Sequence, residues 1–468
     1  MSTDENQHNR YQLIGPAEDG SLGNLLTGLD AKGSRQRLQA LIAGWLRMEN
    51  LVVLAGAGCS CSSGGKTMAQ LEQVVLSTVQ HCANIPPHAA SIIRERLASL
   101  KTRADSTPGF EDWLSYLVTA EFLGAASTSP FAEMSWKNGA KPSSEDLRWL
   151  VRRISQAILA ECALLLPDTS PDSSKPKDAA PHLAFLAKLV ARDSNLGRAH
   201  VFTLNYDTLF EQALELLGIQ YFDGFSGRAD ARFDPSVYGL DIYYPGDVAE
   251  GRVRRFDKFL HFYKLHGSIH WFVRNNEMRA RHPDLTAFAG YDTLTLENKA
   301  AELDGPGAAL PSVGILPTAN KLAQSLAMPF AHLFRSFQIR LGAPQTFLLV
   351  LGYAFGDEHV NRIIETALMN PSLVMLVVEP FPPKGTITRI ERYKDLGKRV
   401  FLLTPSDTGD SKSSQTATFA DFAQSIMPDV QWLEDFLRLR RFEKQIQSSG
   451  PFSERSTDTP PSDSESEA

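Results

Sequence analysis

Short apolar runs recur along the chain, and each gives way to turn-forming or polar residues. They read NLVVLAGAG (50–58), AHVFTLNYD (199–207), FYKLHGS (262–268), TFLLVLGYAFGD (346–357), SLVMLVVEP (372–380) and RVFLLTP (399–405). Several are almost unbroken in Val, Leu and Phe, the pattern of strands covered on both faces, as in a parallel sheet. Between them lie segments with a 3.6-residue apolar period. SRQRLQALIAGWLRM (34–48) is one, and SEDLRWLVRRISQAILAECALLL (144–166) opens on residues suited to a helix N-terminus. DTLFEQALELLG (207–218) ends on a glycine that fits a C-cap. Strands alternating with helices predict an α/β fold, a doubly wound and mostly parallel Rossmann-like sheet.

The spacing of the runs predicts the organisation. About 140 residues separate the first run from the second, too many for one crossover, and helical patterns fill 68–82, 89–101, 110–124 and 144–166. A helical subdomain is therefore expected as an insertion over about 66–198, within a main domain of 34–405. A second insertion, 219–260, is rich in Gly, Asp, Tyr and Arg and is expected to form loops over the site, with Arg228 and Arg232 as lid residues or plain surface arginines. Residues 1–33 are polar and Gly-rich and are expected to be a flexible or loosely docked arm. A C-terminal helical segment is expected over 406–446. The Ser-, Pro-, Asp- and Glu-rich tail 447–468 lacks the apolar residues needed to offset ordering entropy and is expected to be disordered.

Composition narrows the classes. The chain has 468 residues and a net charge of −7, which argues against a chain that mainly binds nucleic acid. No uncharged apolar stretch reaches the roughly 18 residues of a membrane helix, and the first residues hold no apolar signal core, so a cytoplasmic protein is expected. The cysteines are Cys59, Cys61, Cys82 and Cys162, with no C-x-x-C pair to supply a zinc ribbon.

The chemistry-bearing residues gather at the ends of the apolar runs. LVVLAGAGCSCSSGGKT (51–67) resembles a nucleotide triphosphatase loop, but G-x-x-x-x-G-K-[ST] needs glycine at position 60, which is Ser60. A dinucleotide fingerprint, G-x-G-x-x-G, finds its first two glycines in Gly56 and Gly58 and lacks the third. Those two suit a tight turn and close approach of backbone N–H groups to a pyrophosphate; a Gly-rich turn without a ligand is the plainer reading. The second run ends Thr203-Leu204-Asn205-Tyr206-Asp207. Asn205 there can orient a ribose hydroxyl or a water, and Asp207 can cap the following helix instead. The third ends Lys264-Leu265-His266-Gly267-Ser268, where a neutral imidazole can act as general base and Gly267 lets substrate approach the backbone. The later runs exit through Gly352-Tyr353-Ala354-Phe355-Gly356-Asp357 and at Glu379, a carboxylate suited to a ribose diol.

Gly-Ala-Gly-x-Ser (56–60), Thr-x-Asn-x-Asp (203–207), His-Gly (266–267) and the late Gly-rich strand exit, in this order, resemble the sirtuin (silent information regulator) family. TLNYDTLFE, YKLHGSIHW and LGYAFGDEHV are most similar to its bacterial sirtuin-like branch. The resemblance covers roughly residues 45–405. It implies an NAD-binding α/β domain in which Gly56, Ala57, Gly58 and Ser60 line the phosphate and nicotinamide side. Asn205 and Asp207 match the NAD-positioning pair, with Thr203 beside them, and His266 the catalytic base. Gly352 falls near the adenosine half, where the family usually carries Ser at the position of Ala354. The family's zinc ribbon should follow His-Gly, yet no cysteine occurs after Cys162. That departure weakens a protein deacylase and favours an enzyme that hydrolyses NAD+ to nicotinamide and ADP-ribose, with NAD+ as substrate and no metal.

The resemblance further implies a role in anti-phage defence, where NAD depletion arrests the infected cell (abortive infection). It implies a homo-oligomer and, as partner, a HerA-type hexameric ATPase or another defence protein, with no membrane or direct nucleic-acid contact. The alternatives are an NAD-dependent protein deacylase and a non-catalytic subunit that senses NAD or ADP-ribose.

Overall fold

The computed structural model describes residues 10–16, 22–102, 108–125, 136, 138–166, 180–193, 195–227, 230–244, 255–275, 277–281, 285–288, 290–304, 329–381, 384–395, 397–406 and 416–429. Its centre is a nine-stranded sheet. The strands are β1 (Tyr11–Pro16), β2 (Leu22–Asn24), β3 (Asn50–Ala55), β4 (Ala199–Thr203), β5 (Gln220–Phe222), β8 (Phe259–Lys264), β11 (Thr346–Leu351), β12 (Val374–Val378) and β13 (Arg399–Pro405), in the order β2-β1-β13-β12-β11-β3-β4-β8-β5. Every pairing from β13 across to β5 is parallel. Helices cover both faces, so the fold is the α/β, mostly parallel Rossmann-like one that the apolar runs predict.

The near-continuous apolar strands follow from that burial. Successive side chains point to opposite faces, so each strand feeds two cores. Leu51, Val53 and Ala55 of β3 join one core with Leu38 and Ile42 of the Ala31–Leu46 helix and Phe210 of the Leu209–Leu216 helix. Val52 and Leu54 join the other with Phe334 and Phe337 of the Phe330–Gly342 helix and Val360 and Ile364 of the Glu358–Ala367 helix. Each of these Val, Leu, Ile and Phe side chains contributes about 1.5–3 kcal/mol on burial.

Between β3 and β4 the chain forms the helices Met68–Gln80, Pro87–Thr102, Phe110–Ala125 and Ser144–Cys162, followed by Pro181–Val190. The first four share a third core, which also takes in Ile269, Phe288, Tyr291 and Leu303 from the later chain. This helical unit therefore grips the segment just beyond His266-Gly267.

Two expectations are corrected. Part of the arm expected to be flexible is structured: β1 pairs antiparallel with β13, and β2 with β1. Its signal is a short alternation in which Tyr11 and Leu13 turn inward while Gln12 and Ile14 are half-buried, as befits a strand near a sheet edge. The 219–260 stretch is not only loops. Besides β5 it supplies β6 (Phe225–Ser226) and β7 (Ala231–Phe233), which with β9 (Trp271–Arg274) and β10 (Glu277–Ala280) form a four-stranded antiparallel sheet in the order β6-β7-β10-β9. Phe225 packs at 5.1 Å from Trp271 and 5.5 Å from Phe233, so aromatic contact holds that sheet. Of the expected C-terminal segment, Phe419, Phe422 and Ile426 sit in the first core; 430–446, like the 447–468 tail, lies outside the described residues. Among the described residues no helix is long and apolar enough to cross a membrane.

The hydroxyl of Tyr11 donates to both carboxylate oxygens of Asp421, at 3.1 and 3.0 Å, joining the N-terminal strand to the C-terminal turn. Tyr11→Phe should lower the free energy of unfolding in urea by about 1–3 kcal/mol. A change under about 0.3 kcal/mol would mean that this contact does not anchor the strand.

Candidate functional site

From β3 the chain proceeds through β4 and β8 in one direction across the sheet. From β11 it proceeds through β12 and β13 in the other. The strand order therefore reverses between β3 and β11, and ligands of open α/β sheets bind beyond the carboxyl ends of the strands at such a reversal. Gly56 and Gly352 leave β3 and β11 there, and their loops lie backbone against backbone. Gly56 N–H donates to Leu351 O at 2.9 Å and Gly58 N–H to Gly352 O at 3.0 Å. A Cβ on Gly56 would stand 2.6 Å from Gly352 O, and one on Gly58 would stand 2.7 Å from Gly352 Cα. Gly352 itself has φ +58°, and its Cβ would meet Cys59 N at 2.7 Å. The glycines are required by contact between the two loops, and the Gly58 N–H is engaged within the protein.

Beyond Gly58 the next α-helix begins where its apolar pattern, 68–82, places it. Two short 3-10 turns, Ala57–Cys59 and Cys61–Ser63, precede the next α-helix, which starts at Met68. Thr67 caps that helix by accepting from Gln70 N–H, so no α-helix N-terminus directly follows the Gly loop. Lys66 pairs with Glu161 at 2.8 Å. Ala57 is exposed and Ser60 buried.

Ser60 ties the loop to the end of β4. Asn205 Nδ2 donates to Ser60 Oγ at 2.8 Å, and Ser60 Oγ donates to Asp207 Oδ2 at 2.6 Å. Thr203 Oγ1 accepts the Asn205 N–H at 3.1 Å, setting the turn that aims the amide inward. Asp207 Oδ1 accepts the Leu209 N–H at 3.2 Å, so this carboxylate serves the helix start and Ser60 together. All four residues are buried. Beneath them Lys264 Nζ donates to Asp207 O and, at 2.7 Å, to Glu211 Oε1. Burial raises the Glu211 pKa against the opposing pull of Lys264. Lys264 and Glu211 were not among the expected site residues, although a lysine closing a fully buried, largely aromatic strand is the signal that points to them.

His266 follows β8. Gly267 takes φ +85°, which turns the chain so that Ser268 Oγ and Ile269 N–H both donate to Tyr206 O, at 3.1 and 3.0 Å. The His-Gly turn is thus fastened to the Asn-Tyr-Asp turn. His266 Nε2 stands 3.0 Å from Asp357 Oδ2, both side chains being only 7% exposed. The residues expected as a site therefore meet in two joined groups, Ser60 with Thr203, Asn205 and Asp207, and the His266–Gly267 turn.

Glu379 lies on the other side of β11, at the end of β12, and is buried. Burial raises its pKa, while the Phe381 N–H works against the rise. Burial first, and Glu379 among the acids that act on them, also hold up the thiol pKa values of Cys59 and Cys61. Arg232 faces Glu277 at 3.2 Å on the small sheet and is 60% exposed, a surface pair; Arg228 lies outside the described residues.

A family model described as the SIR2-like domain matches residues 199–400. The match supports a sirtuin-like family and fits an enzyme that binds or uses NAD. The SIR2-like region contains Thr203, Asn205, Asp207, His266, Gly267, Gly352 and Glu379. Gly56–Ser60 precede it in the chain, but Ser60 is hydrogen-bonded into it through Asn205 and Asp207. No curated protein matches the chain. Among the described residues no group of His, Cys, Asp and Glu could hold a metal ion.

The loop contact at the reversal point is testable with two glycines of the same segment. Gly352→Ala should cost about 2 kcal/mol or more, because a Cβ at positive φ would press on the Cys59 backbone. Gly356→Ala, where a Cβ would meet nothing within 4 Å, should stay within about 0.5 kcal/mol. Equal effects on denaturant unfolding would contradict the interlock.

Proposed function

We propose that this chain is an NAD+ glycohydrolase, cleaving the bond between nicotinamide and ribose to release nicotinamide and ADP-ribose. The observation that carries the reading is the hydrogen-bonded set Asn205–Ser60–Asp207, fastened through Tyr206 to the His266 turn at the carboxyl ends of β3, β4 and β8. An amide, a hydroxyl, a carboxylate and an imidazole suit a reaction in which positioning matters more than strong acid.

Nicotinamide departs neutral from a cationic ring, and the transition state has oxocarbenium character. The bond from ribose C1′ to the ring nitrogen breaks, its electron pair leaves with nicotinamide, and a water oxygen bonds to C1′. His266 accepts the proton lost from that water or from a ribose hydroxyl and returns it to solvent. Asn205, its amide oriented by Ser60, holds the ribose hydroxyls or the water. Glu379 suits the ribose diol of the adenosine half.

Hydrolysis is preferred to acyl transfer because the zinc-ribbon cysteines that shape an acyl-peptide cleft are missing from the sequence after His266. The biological role we infer is NAD depletion in anti-phage defence, in a homo-oligomer acting with a HerA-type ATPase or another defence partner. Asn205→Ala and His266→Ala should each reduce nicotinamide release, followed by chromatography, by at least about 10²-fold. Full activity of His266→Ala would sink the assignment, and acyl-peptide turnover matching hydrolysis would favour a deacylase.

A further inference from the structure

We propose that the turn leaving β12 is an adenosine subsite that excludes 2′-phosphorylated dinucleotides: Glu379 accepts both ribose hydroxyls, and Phe381 offers its ring to the adenine. The inference rests on the hydrolase reading above and names the specificity of that same site.

The position follows from the strand order. Asn205 and His266 leave β4 and β8 on one side of the reversal, and Glu379 leaves β12 on the other. Gly352 joins the two sides. Its carbonyl accepts the Gly58 N–H at 3.0 Å, and its own N–H donates to Val378 O at 3.4 Å. Glu379 is the next residue, and its N–H donates to Leu403 O at 3.1 Å, which keeps its backbone in the ladder to β13. A dinucleotide with its nicotinamide half at Asn205 therefore crosses the contact between the Gly loops and brings its other half to Glu379.

The carboxylate lacks the donors that its burial calls for. Glu379 is only 9% exposed, yet the side-chain hydrogen bond it accepts is a long one, from Phe381 N–H to Oε1 at 3.4 Å. Among the described residues no lysine, arginine or histidine pairs with it. The other buried glutamates are served differently: Glu72 meets Arg96 at 2.6 Å, Glu161 meets Lys299 at 2.7 Å and Glu211 meets Lys264 at 2.7 Å. Burial without a cation holds the Glu379 pKa above its usual value, against the pull of the Phe381 N–H. An ionised carboxylate only accepts, and a vicinal diol brings two O–H donors. A 2′-phosphate removes one of those donors and sets about two negative charges against a carboxylate that nothing neutralises. An acid on the 2′-hydroxyl is the general device by which dinucleotide folds take NAD+, and an arginine the device for NADP+. Phe381 is 66% exposed, and among the described residues no ring or cation stacks on it. With its N–H tied to the carboxylate, its ring leaves the turn beside the ribose position, where it suits the flat face of adenine.

The test pairs binding with turnover in the full-length protein. Calorimetry measures the affinities for ADP-ribose and 2′-phospho-ADP-ribose, and nicotinamide release gives kcat and KM for NAD+ and NADP+. We expect the parent to bind ADP-ribose at least about 10²-fold more tightly than its 2′-phosphate, and to favour NAD+ over NADP+ by a similar ratio of kcat/KM. Glu379→Gln keeps the size and removes the charge. It should cut both ratios by about 10-fold or more, through affinity and KM, with kcat for NAD+ little changed. Its urea midpoint should be no lower than the parent's, because a neutral amide escapes the cost of burying a charge. A Glu379 that served only the fold would instead lower the midpoint and leave the ratios alone. Phe381→Ala should weaken ADP-ribose by about 10-fold and leave the discrimination unchanged. Equal affinity of the parent for the two ligands, no binding of ADP-ribose, or ratios unmoved in Glu379→Gln would each overturn the proposal, and undiminished affinity in Phe381→Ala would overturn the part given to the ring. Discriminating binding by a protein that releases no nicotinamide would uphold the subsite and refute the hydrolase reading.

Discussion

The site depends on a backbone-to-backbone contact at the point where the sheet reverses its strand order. The loops after β3 and β11 approach so closely that Gly56, Gly58 and Gly352 leave no room for a methyl group between them. Only glycine permits that approach, and only glycine adopts the positive φ of Gly352 without strain. The residues gathered at the candidate site are referred to this contact. Ser60 lies two residues beyond Gly58 and reaches Asn205 and Asp207, while Asp357 lies five beyond Gly352 and reaches His266. Moving either loop would displace both groups at once.

Ser60, Asn205 and Asp207 are buried and hydrogen-bonded to one another, which is how such groups are tolerated in a low-dielectric interior. Ser60 uses its hydroxyl as donor and acceptor together, so the Asn205 amide and the Asp207 carboxylate are held in fixed orientations by the fold itself. The Lys264–Glu211 pair, only 2% and 3% exposed, adds a second tier by fixing the Asp207 carbonyl and the start of the helix beyond it. Ion pairs this deep add little net stability over apolar packing. Removing one partner, however, strands the other charge, so they act as rigid spacers.

The central strands were legible because burial on both faces leaves an almost unbroken apolar run. The expected run at 346–357 held both β11 and the loop that leaves it, and the expected endings at Asn205, His266 and Glu379 do fall just beyond strands. β1 was not legible, because a short strand near the sheet edge with Gln12 and Pro16 turned outward or half-buried looks like polar linker. The glycines were visible, but their duty was not: a G-x-G spacing cannot distinguish approach to a pyrophosphate from approach to another loop. Asp357 was visible as a letter in LGYAFGD, yet its partner belongs to a strand that becomes its neighbour only when the loop folds back. Local patterns report local partners, and this site is assembled from tertiary ones.

The Gly64-Gly65-Lys66-Thr67 ending is the opposite case, since its spacing, with Ser60 where a glycine is needed, already argues against a triphosphate loop. In the fold, Thr67 caps the Met68–Gln80 helix, and Lys66 meets Glu161, which Lys299 also meets at 2.7 Å. The side chain of Glu161 is 1% exposed, and its two oxygens face Lys66 at 2.8 Å and Lys299 at 2.7 Å. Lys66 comes from the Gly loop's far end, Glu161 from the Ser144–Cys162 helix and Lys299 from the Leu296–Glu302 helix. This cluster therefore binds the inserted helical unit to the loop that carries Ser60. The third core grips Ile269, just beyond His266, from the same unit. The insertion is thus mechanically continuous with both halves of the site. A displacement of the helical unit would be felt at Ser60 and at His266 together, and it could not occur without exposing or stranding a buried carboxylate.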